Sequence, residues 1–204
     1  MTQTKEYWKT RKADDKYNDW RTENTSWIQE YWETQNHPHR DQIVDALNIE
    51  FDSLLEIGCN CGPNIARIKK EYGNDKLYAG IDPNVSSLKF GRIMMPDVAL
   101  IEGDIESLDI KDMKFDVVLA DASLMYVDEN NIFSVAEKIS KLATKIIIIC
   151  DWFDESIAGV EKDGHYARNY PKLFNKWKCT TKQINWPTSE KWKRNGRMFI
   201  FHRA

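Results

Sequence analysis

The stretch LLEIGCNCGPN, Leu54 to Asn64, sets two thiols inside a glycine-flanked loop. Such a pairing admits two chemistries: a thiolate site for metal or redox work, or a loop through which a ligand reaches the backbone. The first fits poorly. Zinc sites combine C-x-x-C with a second pair or with histidines, whereas C-x-C stands alone here, with Cys150 and Cys179 lying 89 and 118 residues beyond Cys61. Cys59 and Cys61 then serve as compact fillers of a tight loop. Proton chemistry has three candidates outside the apolar runs, His37, His39 and His165. His37 and His39 read as a polar lead-in to a helix over 40–47, while His165, with Tyr166 and Arg168, forms the leading cluster for contact with a second reactant.

The loop matches neither of two common phosphate-binding patterns. A dinucleotide G-x-G-x-x-G from Gly58 requires glycine at 60 and 63, where Asn60 and Pro63 stand, and G-x-x-x-x-G-K-[ST] also requires glycine at 63. What is present is Glu56-x-Gly58-x-x-x-Gly62. Gly58 lets a ligand approach the chain, Gly62 turns it into a helix, and Asn60 tolerates a left-handed conformation between them. Asp82, in GIDPN, follows 20 residues after Gly62. There a carboxylate can accept both hydroxyls of a ribose. Asp104 in IEGDIESL can meet an adenine amino group, and Asp121 to Tyr126 leave a further apolar run beside the same crevice. Asp121 and Ser123 are candidates for contact with whatever binds there.

These residues need a scaffold that ends several strands together. Ser53–Ile57, 76–81, 98–102, 115–120 and 145–150 read as five short buried strands, the last of them KIIIIC. Between them lie helical patterns: Pro63–Tyr72 with Pro63 at its first position, 84–92 with Val85 and Leu88 inward, and a helix capped by Asp128 that buries Ile132, Val135, Ile139 and Leu142. This predicts a parallel sheet covered on both faces. The segment 168–177 reads as helical, and 178–184 with 197–202 as an edge hairpin. The first 36 residues form a separate layer in which Tyr17, Trp20, Trp27 and Tyr31 share a helical face. All eight tryptophans lie before residue 37 or after residue 151, either packing added layers on the sheet or lining a pocket between them.

With these motifs in hand, the chain resembles the class I S-adenosylmethionine-dependent methyltransferases. LLEIGCNCGPN is similar to their first motif, GIDPN to the second, GDIESL to the third and FDVVLADASLMYVD to the fourth, over about Leu54 to Trp152. The chain departs from the commonest pattern at Asn60, where glycine is more usual. HPHR (His37 to Arg40) and HYARNY (His165 to Tyr170) look like features of an uncharacterised branch. The resemblance implies an α/β, Rossmann-like sheet of seven strands, order 3-2-1-4-5-7-6 with strand 7 antiparallel. A helical extension over 1–36 precedes a methyltransferase domain over 37–204. It implies S-adenosylmethionine held by Glu56, Gly58, Cys59, Asn60, Gly62, Asn64, Asp82, Pro83, Asp104, Ile105 and Asp121. His165, Tyr166 and Asp121 are then the candidate catalytic groups, with Tyr126, Trp152 and Arg168 toward the acceptor. Arg40 could pair with the cofactor carboxylate, but a surface arginine is the leading reading.

Composition narrows the acceptor only coarsely. The chain has 204 residues and net charge −3, but from 165 onward ten Lys and Arg face the single acid Glu190, giving +9 against −12 for the rest. A small-molecule acceptor is the leading expectation. A nucleic acid or nucleotide bound by the basic tail with Trp177, Trp186 and Trp192, a noncatalytic binding relative, and a different transfer from the same cofactor stay open. The start of the sequence lacks a signal-peptide core, no run nears the roughly 18 apolar residues of a membrane span, and cysteines are few, so a cytoplasmic protein without structural disulfides is expected.

Overall fold

Ser53–Ile57, Leu77–Asp82, Ala99–Glu102, Phe115–Asp121 and Ala143–Trp152 form strands β1 to β5 in the computed structural model, which describes residues 4–12, 26–109 and 112–203. All five run parallel. Their apolar runs are continuous because both faces are covered: Ile146, Ile147, Ile148 and Ile149 are each 0% exposed. The chain then makes a small hairpin, β6 (Val160–Lys162) and β7 (His165–Ala167), before β8 (Trp177–Gln183) and β9 (Gly196–Arg203). The sheet order is β3-β2-β1-β4-β5-β9-β8, with β9 antiparallel to both neighbours. Counting only the strands of this sheet, the order is 3-2-1-4-5-7-6 with the last strand reversed, as expected.

Eight α-helices are described: α1 (Lys5–Thr10), α2 (Trp27–Glu33), α3 (Pro38–Ala46), α4 (Pro63–Tyr72), α5 (Val85–Met94), α6 (Ile132–Leu142), α7 (Tyr170–Leu173) and α8 (Glu190–Asn195). On one face of the sheet α3, α4 and α5 bury Ile43, Ile65, Ile68 and Leu88; on the other α6 buries Ile132, Val135, Ile139 and Leu142. Among the described residues no helix is long and apolar enough to cross a membrane.

Four local expectations are corrected. The helix over 168–177 shrinks to the single turn α7, because Arg168 pairs its backbone with Trp152 and Asp154 at the end of β5 and cannot also be helical. Asp128 does not cap α6: its side chain accepts from the backbone N–H of Asn130 at 2.8 Å, and α6 starts at Ile132 behind Asn131. Val85, the first residue of α5 behind its Asn84 cap, is 37% exposed, whereas Leu88 is buried. His37 and His39 do lead into a helix, but it begins at Pro38, and His39 and Arg40 are buried. Tyr17 and Trp20 lie outside the described residues; Trp27 and Tyr31 occupy successive turns of α2 and meet edge to face.

Gly91 sets how closely α5 approaches the glycine loop. A Cβ there would lie 2.7 Å from the carbonyl oxygen of Cys61 and 2.7 Å from Leu100 Cδ1. Gly91→Ala, although it favours the helix locally, is therefore expected to destabilise the protein by about 1–3 kcal/mol. A lower urea midpoint with unchanged slope would show it.

Candidate active site

Strand register sets Ile57 beside Ile81 and Ala120, so Gly58, Asp82 and Asp121 end three adjacent strands at one level. Above them opens a cavity of about 1210 Å³, floored by the β1 to β5 ends. It is walled by α1 and α2 through Lys5, Trp8 and Tyr31, by the β6–β7 hairpin through His165, and by the β8–α8 region through Trp186 and Trp192.

The glycine loop is built as a rigid turn. Gly58, Asn60 and Gly62 all have positive φ, 72°, 53° and 85°, conformations that glycine and asparagine tolerate best. Asp82 holds the loop: its Oδ2 accepts the Asn60 N–H at 2.8 Å and its Oδ1 the Asn84 N–H at 2.7 Å. Burial nevertheless pushes its carboxyl up to about 6, against those two bonds. Cys59 packs its sulfur under Gly80, and Cys61 lies buried against the Ile28 carbonyl. Burial raises both thiols, Cys61 to about 12, so neither offers a thiolate at neutral pH.

Glu56, Asn64, Arg40, Asp121 and His39 form a buried polar cluster beneath the loop. Asn64 Nδ2 donates to Glu56 Oε1 at 2.7 Å and to Asp121 Oδ2 at 3.0 Å, and Arg40 donates to Asn64 Oδ1. His39 Nε2 sits 2.9 Å from Asp121 Oδ2. Burial opposes ionisation of Asp121, but His39, Arg40 and Asn64 outweigh it and hold the carboxyl below its ordinary range. Glu56 has no such set of partners, and burial pushes it up to about 8. Glu56 Oε2, Asp121 Oδ1 and His37 Nε2 are buried without a hydrogen-bond partner.

The structure brings most of the expected residues to the cavity: Glu56, Gly58, Cys59, Asn60, Asn64, Asp82, Pro83, Asp104, Ile105, Asp121, Tyr126, Trp152 and His165 all line it. Asp104 is paired with Lys5 of α1 at 2.6 Å, and His165 Nε2 lies 3.0 Å from the Tyr126 hydroxyl. Three are placed elsewhere. Gly62 turns the chain behind the wall, where a Cβ would meet Met95 Cε at 2.5 Å. Tyr166 alternates to the face of β7 opposite His165, under the Arg168 guanidinium at 4.6 Å. Arg168 is fully buried and donates to the carbonyls of Leu124, Val127 and Ala158, so it is a structural residue and not an acceptor contact. Ser123 faces the cavity, but its hydroxyl donates to the Ile57 carbonyl at 2.8 Å. Arg40 is buried, its Nε and Nη2 held by Thr34. The joining of His37 and His39 to Asp121, 82 residues away from His39, carries no spacing signal in the sequence.

Residues 54–145 match a family model described as a methyltransferase domain. Over 83 residues the chain is 32% identical to the malonyl-[acyl-carrier protein] O-methyltransferase of Calditerrivibrio nitroreducens, covering 41% of this chain and 31% of that protein. The match thus spans under a third of the length of that curated relative. Among solved structures, the magnesium protoporphyrin IX methyltransferase of Synechocystis PCC 6803 with bound S-adenosylmethionine superposes with a TM-score of 0.65, at 14% identity, over 90% of this chain and 86% of that one. The plantazolicin methyltransferase BpumL in complex with S-adenosylhomocysteine gives 0.61 at 13% identity, over 87% and 89%. The sequence match thus spans residues 54–145, from β1 into the start of β5, and the sheet that surrounds it has the Rossmann-like fold of these methyltransferase structures.

Proposed function

We propose that the protein transfers a methyl group from S-adenosylmethionine to a small-molecule acceptor, with both reactants held in the one cavity. The observation that carries this reading is the cavity's extent. At about 1210 Å³ it exceeds the roughly 300–1,000 Å³ of ordinary single-ligand sites and joins the glycine loop to an aromatic, histidine-bearing end. S-adenosylmethionine supplies a methyl group on a sulfonium, whose carbon–sulfur pair stays on sulfur as the acceptor's pair makes the new bond. A cationic cofactor suits this floor. Glu56, Asp82, Asp104 and Asp121 line it, and Glu56 Oε2 lacks a partner.

In this reading Asp82 accepts the ribose hydroxyls, Asp104 and Ile105 border the adenine, and Glu56 faces the amino group. The protein's main contribution is alignment of the acceptor and exclusion of water. Trp8 and Tyr31 of the N-terminal helices close one side of the cavity and Trp186 and Trp192 the other. The relatives act on a carrier-protein-bound malonyl group, a porphyrin and plantazolicin by their names, so the acceptor class has to be read from this cavity. A nucleic acid is less well served. Trp186 and Trp192 stack on each other at 4.6 Å within the cavity wall and Trp177 packs against the sheet, which leaves the tail's exposed lysines without an outward stacking platform. The four free cysteines suit the reducing cytoplasm as the site of action.

The test is calorimetric titration of S-adenosylmethionine and S-adenosylhomocysteine into the wild type and Asp82→Ala. Micromolar binding is expected, weakened at least about tenfold in the variant, which loses the ribose acceptor and the anchor of Asn60 together. A folded wild type that binds neither would overturn the proposal.

A further inference from the structure

His37 and His39 are not two independent side chains. Their Nδ1 atoms lie 2.5 Å apart, so one proton must sit between them: two bare nitrogens would repel at that distance, and two N–H groups would clash. His39 Nε2 is 2.9 Å from Asp121 Oδ2, an ionised carboxylate that also accepts from Asn64 and Arg40. The carboxylate has no proton to give, so the hydrogen belongs to His39 Nε2. His39 is 1% exposed, and burial favours its neutral form, which leaves its Nδ1 bare. The proton between the two rings is therefore carried by His37 Nδ1, and a neutral His37 presents a bare Nε2. That atom is buried, has no partner, and belongs to a residue lining the cavity. The His39 backbone N–H also reaches toward His37 Nδ1 at 3.4 Å, a long cap contact that is the weaker of the two beside the 2.5 Å ring contact.

The packing fixes both rings. Trp186 stacks on His39 at 4.4 Å and 20°, contacts His37 at 4.8 Å, and is itself backed by Trp192. With both faces covered, Trp186 clamps the imidazoles and is not free to stack on a ligand. A metal ion held between the two Nδ1 atoms is excluded by geometry, since each Zn–N bond alone needs about 2.0 Å.

We propose that His37, oriented through His39 by Asp121, removes the proton that the acceptor loses, and that the acceptor is accordingly a hydroxyl or N–H compound. This rests on the methyl-transfer reading above. The acceptor's proton passes to His37 Nε2 while its bonding pair stays on the attacking atom. The Nδ1 proton of His37 then shifts to His39 Nδ1, and the positive charge comes to rest on His39 against the Asp121 carboxylate. His37 ends neutral. The charged groups around His37 are His39 and Arg40 on its own helix and Asp121 on β4. Burial, His39 and Arg40 outweigh Asp121 and push His37 down to about 4, so its Nε2 stays available through the neutral range.

The experiment is imidazole nitrogen NMR of the labelled protein, with and without S-adenosylhomocysteine, alongside kinetics with an acceptor taken from a methyl-transfer screen. Expected are His39 protonated only at Nε2 and His37 only at Nδ1 across roughly pH 6–8, and a His37 of indefinite tautomer in His39→Phe. His37→Gln is expected to lower kcat by about 100-fold or more while leaving affinity for S-adenosylhomocysteine within about twofold. A proton on His37 Nε2, a His37 titrating in the ordinary histidine range, or an undiminished kcat in His37→Gln would each overturn the proposal. Failure of the wild type to bind S-adenosylhomocysteine would instead fell the cofactor reading, and the tautomers in the unliganded protein would still decide the relay.

Discussion

Arg168→Met is expected to cost about 3–5 kcal/mol of stability, the magnitude typical of removing one member of a buried, fully engaged charged cluster. The side chain is 0% exposed, and its guanidinium donates from Nε to the Ala158 carbonyl at 3.0 Å, from Nη1 to Leu124 at 2.7 Å and from Nη2 to Val127. Methionine keeps much of the volume but removes a donor from three inward-facing carbonyls, of which Leu124's keeps the Val127 N–H at 3.1 Å. It also removes the cation beside Asp151, a carboxyl whose burial, against Arg168 and two backbone N–H groups, already pushes it up to about 7. The carbonyls Arg168 gathers belong to the turn carrying Tyr126 and to the chain just before β6, so the loss should loosen the aromatic wall of the cavity before it reaches the glycine loop. Urea unfolding of the variant measures the effect, and a difference below about 1 kcal/mol would show that Arg168 is not the tie described. Because Arg168 itself does not line the cavity, titration of S-adenosylhomocysteine into the folded variant should give near wild-type affinity.

Arg168 also shows where the sequence ceases to be legible. HYARNY, read locally, offered polar groups beside an apolar run, and a basic residue in such a place looks like a ligand contact. What decides its role is that three carbonyls from 10 to 44 residues away converge on it, and no local pattern records that convergence. The glycine loop was legible for the opposite reason. Its constraints are local: a strand must end, the chain must pass through left-handed conformations at 58, 60 and 62, and a helix must start at Pro63. Residue types alone state all of that. Asp82 stands between these cases, since GIDPN marked it as a strand-end acceptor but not as the anchor of the Asn60 N–H. His37 and His39 read from sequence as possible proton acceptors but first as a polar lead-in, because H-x-H gives no sign of the Asp121 carboxylate beside His39. Likewise, the apolar spacing that marks the buried face of α6 specifies a helix interior better than its ends: Asp128 has the residue type of a cap, while the cap is decided by which backbone N–H the side chain reaches.

Cofactor affinity is expected to rise with pH, by up to about 100-fold between pH 6 and 8, and Glu56→Gln is expected to abolish that rise. Glu56 is buried to 1% exposure; burial, with Asp121 and Asp82 adding to it and Asn64 and Arg40 opposing, pushes its carboxyl up to about 8. Below that pH the unliganded protein holds a proton on Glu56, at or near the unpartnered Oε2. A cofactor amino group brought to this end of the cavity favours the carboxylate, so binding must expel the proton. One proton released per cofactor bound makes the logarithm of the association constant climb with unit slope until pH approaches 8, where Glu56 is already ionised. Asp82, pushed to about 6, adds to the slope only at lower pH. Calorimetry in buffers of different ionisation enthalpy counts the proton directly, and glutamine, which still accepts from Asn64, should reduce the count to zero above pH 6. The same group acts on folding with a definite sign. The unfolded side chain titrates near 4.5, so the folded state retains a proton that the unfolded chain has lost, and the stability Glu56 contributes below pH 4.5 is lost progressively as pH rises toward 8. Glu56→Gln should therefore match the wild type in mild acid and exceed it in stability near pH 8, while binding cofactor more weakly there. A wild type whose affinity is flat from pH 6 to 8 would mean that the cofactor's cation does not meet Glu56.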